Sequence, residues 1–402
     1  MLNMRIGIFG GSFDPVHLGH IWMARSVLQE LGLDKLFMVV AANPPHKADN
    51  GRLPGNIRLR MVEAAVKNDP KIIASDAELK REGKSYTVDT VDAFRRQYRG
   101  AKLFLIVGGD MLENFPTWRE PARILSMASL VAVTRPDEQR DMRQLADTVS
   151  SELGGRVLLS SFTGPDISST EVRRRMYEAL PVDTMVTLMT EQYMYENALY
   201  MPQEIIDIRS RLASLLKKRR LSHTMLTSCE AVKLAYRYGA DTKKARLAAL
   251  LHDCIKLPNR ELVEYCERNS FDITEEERAN PYLIHSRLGA VLAETEYGVD
   301  DPEVIMAIRS HTLGRIGMSM LEKVIYVADK IEPTRDYEGL DEIRELAYTD
   351  IDRAMLRVMQ HSAEYTAACG RTVNPSTGAV MEHLIEEINN KEILYGKRDI
   401  PQ

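Results

Sequence analysis

A chain of 402 residues with 44% hydrophobic and 28% charged content has ordinary globular composition, and at roughly 100–200 residues per domain it holds two or three domains. Disordered and collagen-like classes are excluded. The 53 Lys and Arg stand against 58 Asp and Glu, a formal net charge of −5, so no overall basic excess points to nucleic acid or to a membrane surface as a partner.

In chain order, the sequence passes from Met4 into the apolar run 5–9 with no signal-type segment before it, so secretion is not expected. No apolar stretch approaches the roughly 20 residues of a membrane helix. Strand-like runs at 5–9, 36–41, 103–107, 130–134 and 157–160 alternate with helical patterns such as 19–31 and 57–68. That alternation predicts an α/β domain, a Rossmann-like doubly wound parallel sheet. Ser168 to Glu171 has the pattern of a capping box that opens a helix, and the chain beyond it is helical. The expected organisation is an α/β domain over 1–200 and an all-α helical bundle over 203–402. Roughly eight amphipathic helices are expected in the second part, among them 203–216, 225–238, 243–252, 284–296 and 302–311. The four cysteines, Cys229, Cys254, Cys266 and Cys369, all lie in this half without CxxC spacing. They read as reduced core thiols of a cytoplasmic protein, not as a disulfide framework or a cysteine metal site.

The nine histidines are not scattered. His17, His20 and His46 fall within 30 residues, and none follows until His223, His252, His285 and His311, with His361 and His383 trailing. Two separate sites are expected. The first lies in GGSFDPVHLGH, from Gly10 to His20, which follows a strand and opens a helix, where an α/β sheet binds phosphates. The glycines let phosphate approach the backbone, and two histidines three apart can both donate to the oxygens of a phosphoryl-transfer transition state.

These residues resemble the nucleotidyltransferase superfamily that shares its HxGH signature with class I aminoacyl-tRNA synthetases. Pro44-Pro45-His46-Lys47, Ser85-Tyr86-Thr87-Val88-Asp89-Thr90, Gly108-Gly109-Asp110-Met111, Trp118, Arg135-Pro136 and the run from Ile167 to Arg173 narrow it. In order and spacing they are similar to bacterial nicotinate-nucleotide adenylyltransferases, over about residues 4–200. Gly109 departs from the pattern, since relatives often carry alanine there. The resemblance implies that the phosphate of nicotinate mononucleotide attacks the α-phosphorus of ATP, with Mg²⁺ travelling with the ATP. It implies His17, His20, Lys47 and Arg173 as catalytic phosphate-side donors. It implies Gly10, Gly11, Ser12, Phe13, Gly108, Arg135, Ile167, Ser168, Ser169 and Thr170 as substrate-binding positions, with Asp110 on a ribose hydroxyl. Trp118 and the stretch Tyr86-Thr87 would hold the pyridine ring and its carboxylate. The bland alternatives are core packing for Trp118 and a helix cap for Asp110.

In the second half, His223, His252-Asp253, His285, His311 and Asp329 form a set of imidazoles and carboxylates suited to divalent transition metals, and six such ligands suffice for two ions. Their order resembles the HD-domain phosphohydrolases in the dinuclear version. The motifs His252-Asp253-Cys254-Ile255-Lys256, Ile284 to Ala290, Ser310 to Gly314 and Ala328 to Arg335 are more specifically similar to the YqeK-like family over about 203–390. That resemblance implies symmetrical hydrolysis of diadenosine tetraphosphate to two ADP. It implies two bound ions, iron first, with manganese or cobalt as alternatives. Asp253 would be catalytic as well as a ligand, and Lys256, Arg287 and Arg335 would hold phosphates. A metal-bound nucleotide sensor without turnover, or a phosphohydrolase for another nucleotide, are the rival readings of this half. Small-molecule nucleotides are the expected partners, nucleic acid and membrane are not, and homo-oligomerisation stays open.

Overall fold

The structure, a computed structural model, describes residues 4–42, 51–81, 83–134, 141–160, 164–370 and 372–396. Lys47 with its neighbour His46, and Arg135, lie outside the described residues. The chain divides into two compact units, Met1–Arg174 with Val182–Tyr193, and Arg175–Pro181 with Met194–Gln402.

The first unit alternates β1 (Arg5–Gly11), α1 (Leu18–Glu30), β2 (Lys35–Val40), α2 (Gly55–Val66), β3 (Ile72–Ser75), α3 (Thr87–Gln97), β4 (Lys102–Gly108), α4 (Gly109–Asn114), α5 (Pro121–Met127), β5 (Ala128–Val133), α6 (Met142–Leu153) and β6 (Val157–Ser160), followed by α7 (Ser169–Tyr177) and α8 (Leu188–Glu196). All six strands are parallel, in the order β3-β2-β1-β4-β5-β6. This is the doubly wound arrangement that the alternation predicts. The central strands read as unbroken apolar runs because helices cover both faces. In β4, Leu103, Phe104, Leu105, Ile106 and Val107 are all buried, each side chain stabilising by about 1.5–3 kcal/mol. On one face Ile6, Ile8, Leu105 and Leu130 pack with Val88, Val91 and Phe94 of α3. The strand order reverses between β1 and β4, whose register pairs Ile8 with Leu105. Ligands of such sheets bind beyond the carboxyl ends of the strands at that reversal.

The sequence pattern missed β3, Ile-Ile-Ala-Ser at the sheet edge. Four residues with only Ile72 buried give too short an apolar signal to separate from a loop.

The second unit is helical: α9 (Gln203–Leu215), α10 (Lys218–Tyr238), α11 (Thr242–Leu251), α12 (Asn259–Arg268), α13 (Glu275–Ala279), α14 (Ile284–Tyr297), α15 (Pro302–Ser310), α16 (Met320–Ile331), α17 (Leu340–Thr349), α18 (Ile351–Ala368) and α19 (Pro375–Gly396). Among the described residues these are eleven helices where periodicity counts about eight, because elements as short as the five-residue α13 fall below what a 3.6-residue repeat can reveal. The long α10 is the hub, packed against α11 and α16. Its middle turns, including Met225, Leu226, Cys229, Val232 and Leu234, are buried on nearly every side. Gly239 in the left-handed region (φ 71°) ends it. Cys229, Cys254 and Cys266 are buried core thiols, whereas Cys369, just past the end of α18, is exposed and corrects the expectation of a fourth, and no disulfide occurs among the described residues. No helix among the described residues is long and apolar enough to cross a membrane.

A candidate active site in each unit

In the first unit the turn after β1 is shaped by close approach. A Cβ on Gly11 would meet the Phe13 ring at 2.7 Å. Glycine there lets Phe13 fold back, at φ 48°, into the core and edge-on against His20, with ring centroids 5.1 Å apart. His17 caps α1, and its backbone N–H donates to His20 Nδ1 at 3.2 Å. The two imidazoles stack with centroids 3.6 Å apart. A Cβ on the intervening Gly19 would stand 3.0 Å from His17 Nδ1, so the glycine of HxGH is what allows the pair to close. Gly10 at the strand end has open space where a side chain would go.

The start of α7 is tied to the same turn. Arg173 donates from Nη1 to the Asp14 carbonyl (2.6 Å) and from Nη2 to Thr170 Oγ1 (3.1 Å). Ser169 Oγ donates to the Pro15 carbonyl at 2.9 Å, and Ser168 Oγ accepts from the Glu171 N–H at 3.1 Å. Half-buried Ile167 leads into that start, its N–H on the Pro165 carbonyl. Two helix N-termini, those of α1 and α7, thus belong to one locality with Ser12, His17, His20 and Arg173, an arrangement that favours anions. Across the strand reversal, Gly108 ends β4, and a Cβ on it would meet Asp110 Oδ1 at 2.5 Å, so the exposed Asp110 carboxylate leans over the strand end. Trp118 and Tyr86 are half-buried against the same core cluster. Phe115 lies 5.2 Å from Trp118, and the Arg119 guanidinium sits 4.5 Å over the Tyr86 ring. Thr87 opens α3 directly after Tyr86.

Sequence reasoning missed Arg58. The residue is 2% exposed, and its guanidinium donates to the carbonyls of Ser12 (2.6 Å), Ala41 (2.8 Å) and Leu53 (2.9 Å), bracing the segments that follow β1 and β2. Arg58→Ala would strand three half-buried carbonyls and leave a cavity. The expected loss is about 3–5 kcal/mol in chemical denaturation. Arg58→Lys recovers little of it, because one ammonium cannot span three directions.

In the second unit the six expected ligands converge from four helices and the segment after α11. His223 lies on α10, His252 caps α11 with Asp253 next to it, His285 is in the first turn of α14, His311 caps α15, and Asp329 is on α16. All six are buried. One ligand atom each of His223, His252 and Asp329 lie within 4.8 Å of one another, and so do those of His252, Asp253 and His311. His223 Nε2 is 3.1 Å from Asp329 Oδ1, and His285 Nε2 is 3.5 Å from Asp253 Oδ1. His252, His285 and His311 each donate Nδ1–H to the carbonyl three residues earlier, of Ala249, Tyr282 and Ile308. That fixes their Nε2 atoms as lone-pair bearers. His252 Nε2 is buried with no hydrogen-bond partner among the described residues. The Nε2 atoms of His285 and His311 stand 3.1 Å apart with lone pairs facing. Buried lone pairs and carboxylates so arranged call for cations between them, so the donor set fits divalent metal ions. Burial pulls the His285 imidazole down to about 4 and holds that of His311 well below the usual histidine range, so both rings are neutral. Burial favours protonated Asp253, yet its positive surroundings, with the Lys256 and Arg220 cations on its two oxygens, outweigh burial and hold it well below the usual carboxylate range.

Lys256 and Arg335 reach this cluster, on Asp253 (3.1 Å) and Asp329 (2.6 Å). Arg287 does not. Its guanidinium is forked onto Glu277 at 2.9 and 2.6 Å and lies 4.3 Å over Phe271, so it braces α13 against α14. Arg220, in the first turn of α10, also reaches the cluster, with Nη1 2.5 Å from Asp253 Oδ2. Glu332 is a further residue missed, with Oε1 accepting from His223 Nδ1 at 3.0 Å. The available signals were spacings of three, Arg220 before His223 and Glu332 after Asp329, which put each pair on one helix face. Removing the partner that aims a ligating imidazole lowers metal affinity about 10–100-fold. That is the expected effect of Glu332→Ala in a manganese titration, with the fold kept.

The fold and the two sites define a nucleotidyltransferase-type α/β domain followed by an HD-type helical domain. Residues 8–175 match the family described as Cytidylyltransferase-like, and residues 220–334 match the HD domain. Over its first half the chain belongs to the nicotinate-nucleotide adenylyltransferase family. A protein of Bacillus pumilus described as a probable nicotinate-nucleotide adenylyltransferase is 35% identical over 196 residues, 49% of this chain and 98% of the relative. One of Thermus thermophilus with the same description is 41% identical over 199 residues, 49% of this chain and all of the relative. Among solved structures, a predicted HD superfamily hydrolase involved in NAD metabolism, from Clostridium acetobutylicum, is 37% identical. It covers 45% of this chain and 96% of its own, with a TM-score of 0.43. A Plasmodium falciparum nicotinic acid mononucleotide adenylyltransferase complexed with NaAD is 18% identical, covering 49% of this chain and 97% of its own, with a TM-score of 0.41.

Proposed function

We propose that the chain is a bifunctional enzyme of nucleotide metabolism. Its first half transfers AMP from ATP to nicotinate mononucleotide. A phosphate oxygen of the mononucleotide bonds to the α-phosphorus, the bond to the bridging oxygen breaks, and deamido-NAD and pyrophosphate result. Such a reaction needs positioning and charge stabilisation more than covalent chemistry. His17, His20 and Arg173 stabilise the phosphoryl oxygens, with Lys47 as a further donor. Ser168, Ser169 and Thr170 add hydroxyls and amides at the start of α7. Asp110 accepts from a ribose hydroxyl, and Trp118 with Tyr86-Thr87 holds the pyridine. Mg²⁺ enters with the ATP.

The second half hydrolyses diadenosine tetraphosphate to two ADP. His223, His252, Asp253, His285, His311 and Asp329 would hold divalent ions, with iron first and manganese or cobalt next, which would supply activation of water and charge stabilisation at the leaving phosphate. Asp253, shared between neighbours His252 and His285, orients the ligand set, and Lys256 and Arg335 bind phosphate oxygens. The observation that carries this reading is the pair of three-residue ligand groups that share His252.

Product analysis of the full-length protein with diadenosine tetraphosphate, with and without Fe²⁺ or Mn²⁺, tests it. Metal-dependent formation of ADP alone is expected. ATP plus AMP would mean cleavage at another bond, and absence of turnover with metal bound would make this half a sensor or a hydrolase for another nucleotide. Nicotinate mononucleotide with MgATP should yield deamido-NAD in the same preparation. The working compartment is the cytoplasm.

A further inference from the structure

At the end of α3 that leads into β4, Arg95, Arg96 and Arg99 and, from α5, Arg123 surround a cavity of about 380 Å³. It lies roughly 15 Å along α3 from Tyr86-Thr87, at the opposite end of the strands from the HxGH turn. Asp92, Arg95 and Arg96 share one helix face by their spacing, and Arg99 follows in the turn beyond. Where one helix faces another, such a stripe ordinarily carries apolar side chains. Here it carries guanidiniums, a groove stays open, and Met127 is the one apolar residue of its lining.

The charges in the groove do not balance. Arg96 is bonded to Asp92, while Arg123 Nη1 is 2.9 Å from Glu120 Oε2 and Nη2 is 3.7 Å from Asp92 Oδ2. Arg95 and Arg99 have no hydrogen bond or ion pair among the described residues. Asp92 is the one carboxylate of the lining, and Glu120 and Asp89 act on Arg123 from outside it. The carbonyl end of α3 adds only about half a negative charge. In a chain of net charge −5, four guanidiniums around one cavity are a local excess that a multiply charged anion relieves. Guanidinium forks match phosphate oxygens in pairs, and the volume is that of a small-molecule site. With Met127 alone on the apolar side, a base has nothing to stack on. The chemistry suits linked phosphates, not a nucleoside.

The groove is also joined to the substrate residues. α3 starts at Thr87, next to Tyr86, and Arg119 lies 4.5 Å over the Tyr86 ring. Between Trp118-Arg119 and α5 stands Glu120 at φ 51° and ψ 54°, a left-handed conformation that a non-glycine residue keeps only under restraint. Arg123 supplies that restraint at 2.9 Å, with Arg119 Nε 3.8 Å from the other carboxylate oxygen.

We propose that this groove is an effector site for a small anion with two or more linked phosphates. Binding moves Arg123 from Glu120 to phosphate, releases the left-handed turn, and weakens the hold of Trp118 and Tyr86 on the pyridine. The effect on the pyridine rests on the adenylyltransferase reading of this unit, whereas the anion site does not.

The test titrates the full chain, without added metal, with inorganic tripolyphosphate in about 0.15 M KCl, where attraction between distant exposed charges is screened. Arg95→Ala/Arg99→Ala is expected to remove one equivalent of binding, and tripolyphosphate held in the active sites remains as background. Asp92→Asn should tighten that same equivalent severalfold by removing a competing carboxylate, a gain that a folding defect cannot produce. With excess Mg²⁺ and saturating ATP, tripolyphosphate should raise KM for nicotinate mononucleotide about fivefold or more in the unaltered chain. The double variant should show little of this rise and keep its kcat and KM in the absence of tripolyphosphate. Binding that persists in full in the double variant, or that vanishes from the unaltered chain at this salt concentration, overturns the site. Groove binding with no change in KM overturns its effector role. If the unaltered chain makes no deamido-NAD while tripolyphosphate binding still depends on Arg95 and Arg99, the adenylyltransferase reading fails and the anion site stands.

Discussion

Replacing His252 with alanine is expected to abolish metal binding and hydrolysis together, a fall of at least about a thousandfold in turnover, while adenylyl transfer continues unchanged. The reason is its position. His252 is the one residue common to both three-residue ligand groups, so its loss opens both, whereas loss of His223 or His311 opens one. A thousandfold corresponds to about 4 kcal/mol, within the several kcal/mol that metal ions contribute to charge stabilisation at phosphorus. The imidazole is fully buried with Nδ1 bonded to the Ala249 carbonyl, so the variant also loses a hydrogen bond and some packing. Metal content by mass spectrometry and turnover separate the causes. A protein that keeps its manganese and its turnover would show that His252 is a packing residue. His223→Ala serves as the comparison, expected to keep part of the metal.

His20→Ala acts on the other half. One preorganised donor to a developing phosphoryl charge is worth about 100–1000-fold in kcat, and hydrolysis of diadenosine tetraphosphate should be untouched. His20 also accepts the His17 N–H and supports the Phe13 ring, so about 1 kcal/mol of stability should go with it. Steady-state kinetics decide the role. A transition-state donor lowers kcat and kcat/KM alike, whereas a purely structural histidine would leave kcat near its original value in the folded fraction. The two substitutions together predict a double dissociation between the activities of one chain.

What the sequence revealed and what it hid follow from the distance over which each feature acts. The parallel sheet was legible because buried strands and amphipathic helices carry their burial in local periodicity, as in Leu103 to Val107. The HxGH turn was legible because its constraints are local too: Gly11 makes room for Phe13 and Gly19 for His17. Arg58 was not, since its meaning lies in a carbonyl 46 residues away, and an arginine inside an amphipathic helix looks like any solvated one. Glu332 was hidden in the same way, its partner His223 being 109 residues distant. Arg287 failed in the opposite direction. It sits beside a ligand histidine in sequence, but its place on α14 turns it toward Glu277, and adjacency in a motif says nothing about which way a helix face points. β3 was lost because four residues at an edge carry too little pattern.

Three of the ligand imidazoles draw their orientation from the nearest possible source, the carbonyl three residues earlier in the chain. The proton arrangement of each ring is therefore settled by the helix end or turn on which it rides, before the helices meet. Assembly of the bundle has only to bring already aimed nitrogens together. An arriving ion would then meet these nitrogens with little ring rotation left to freeze, the ordering cost of capture having been met during folding. Substitutions that loosen the ends of α11 and α15, far from any phosphate, should thus register first as slower or weaker metal uptake and only later as a loss of structure.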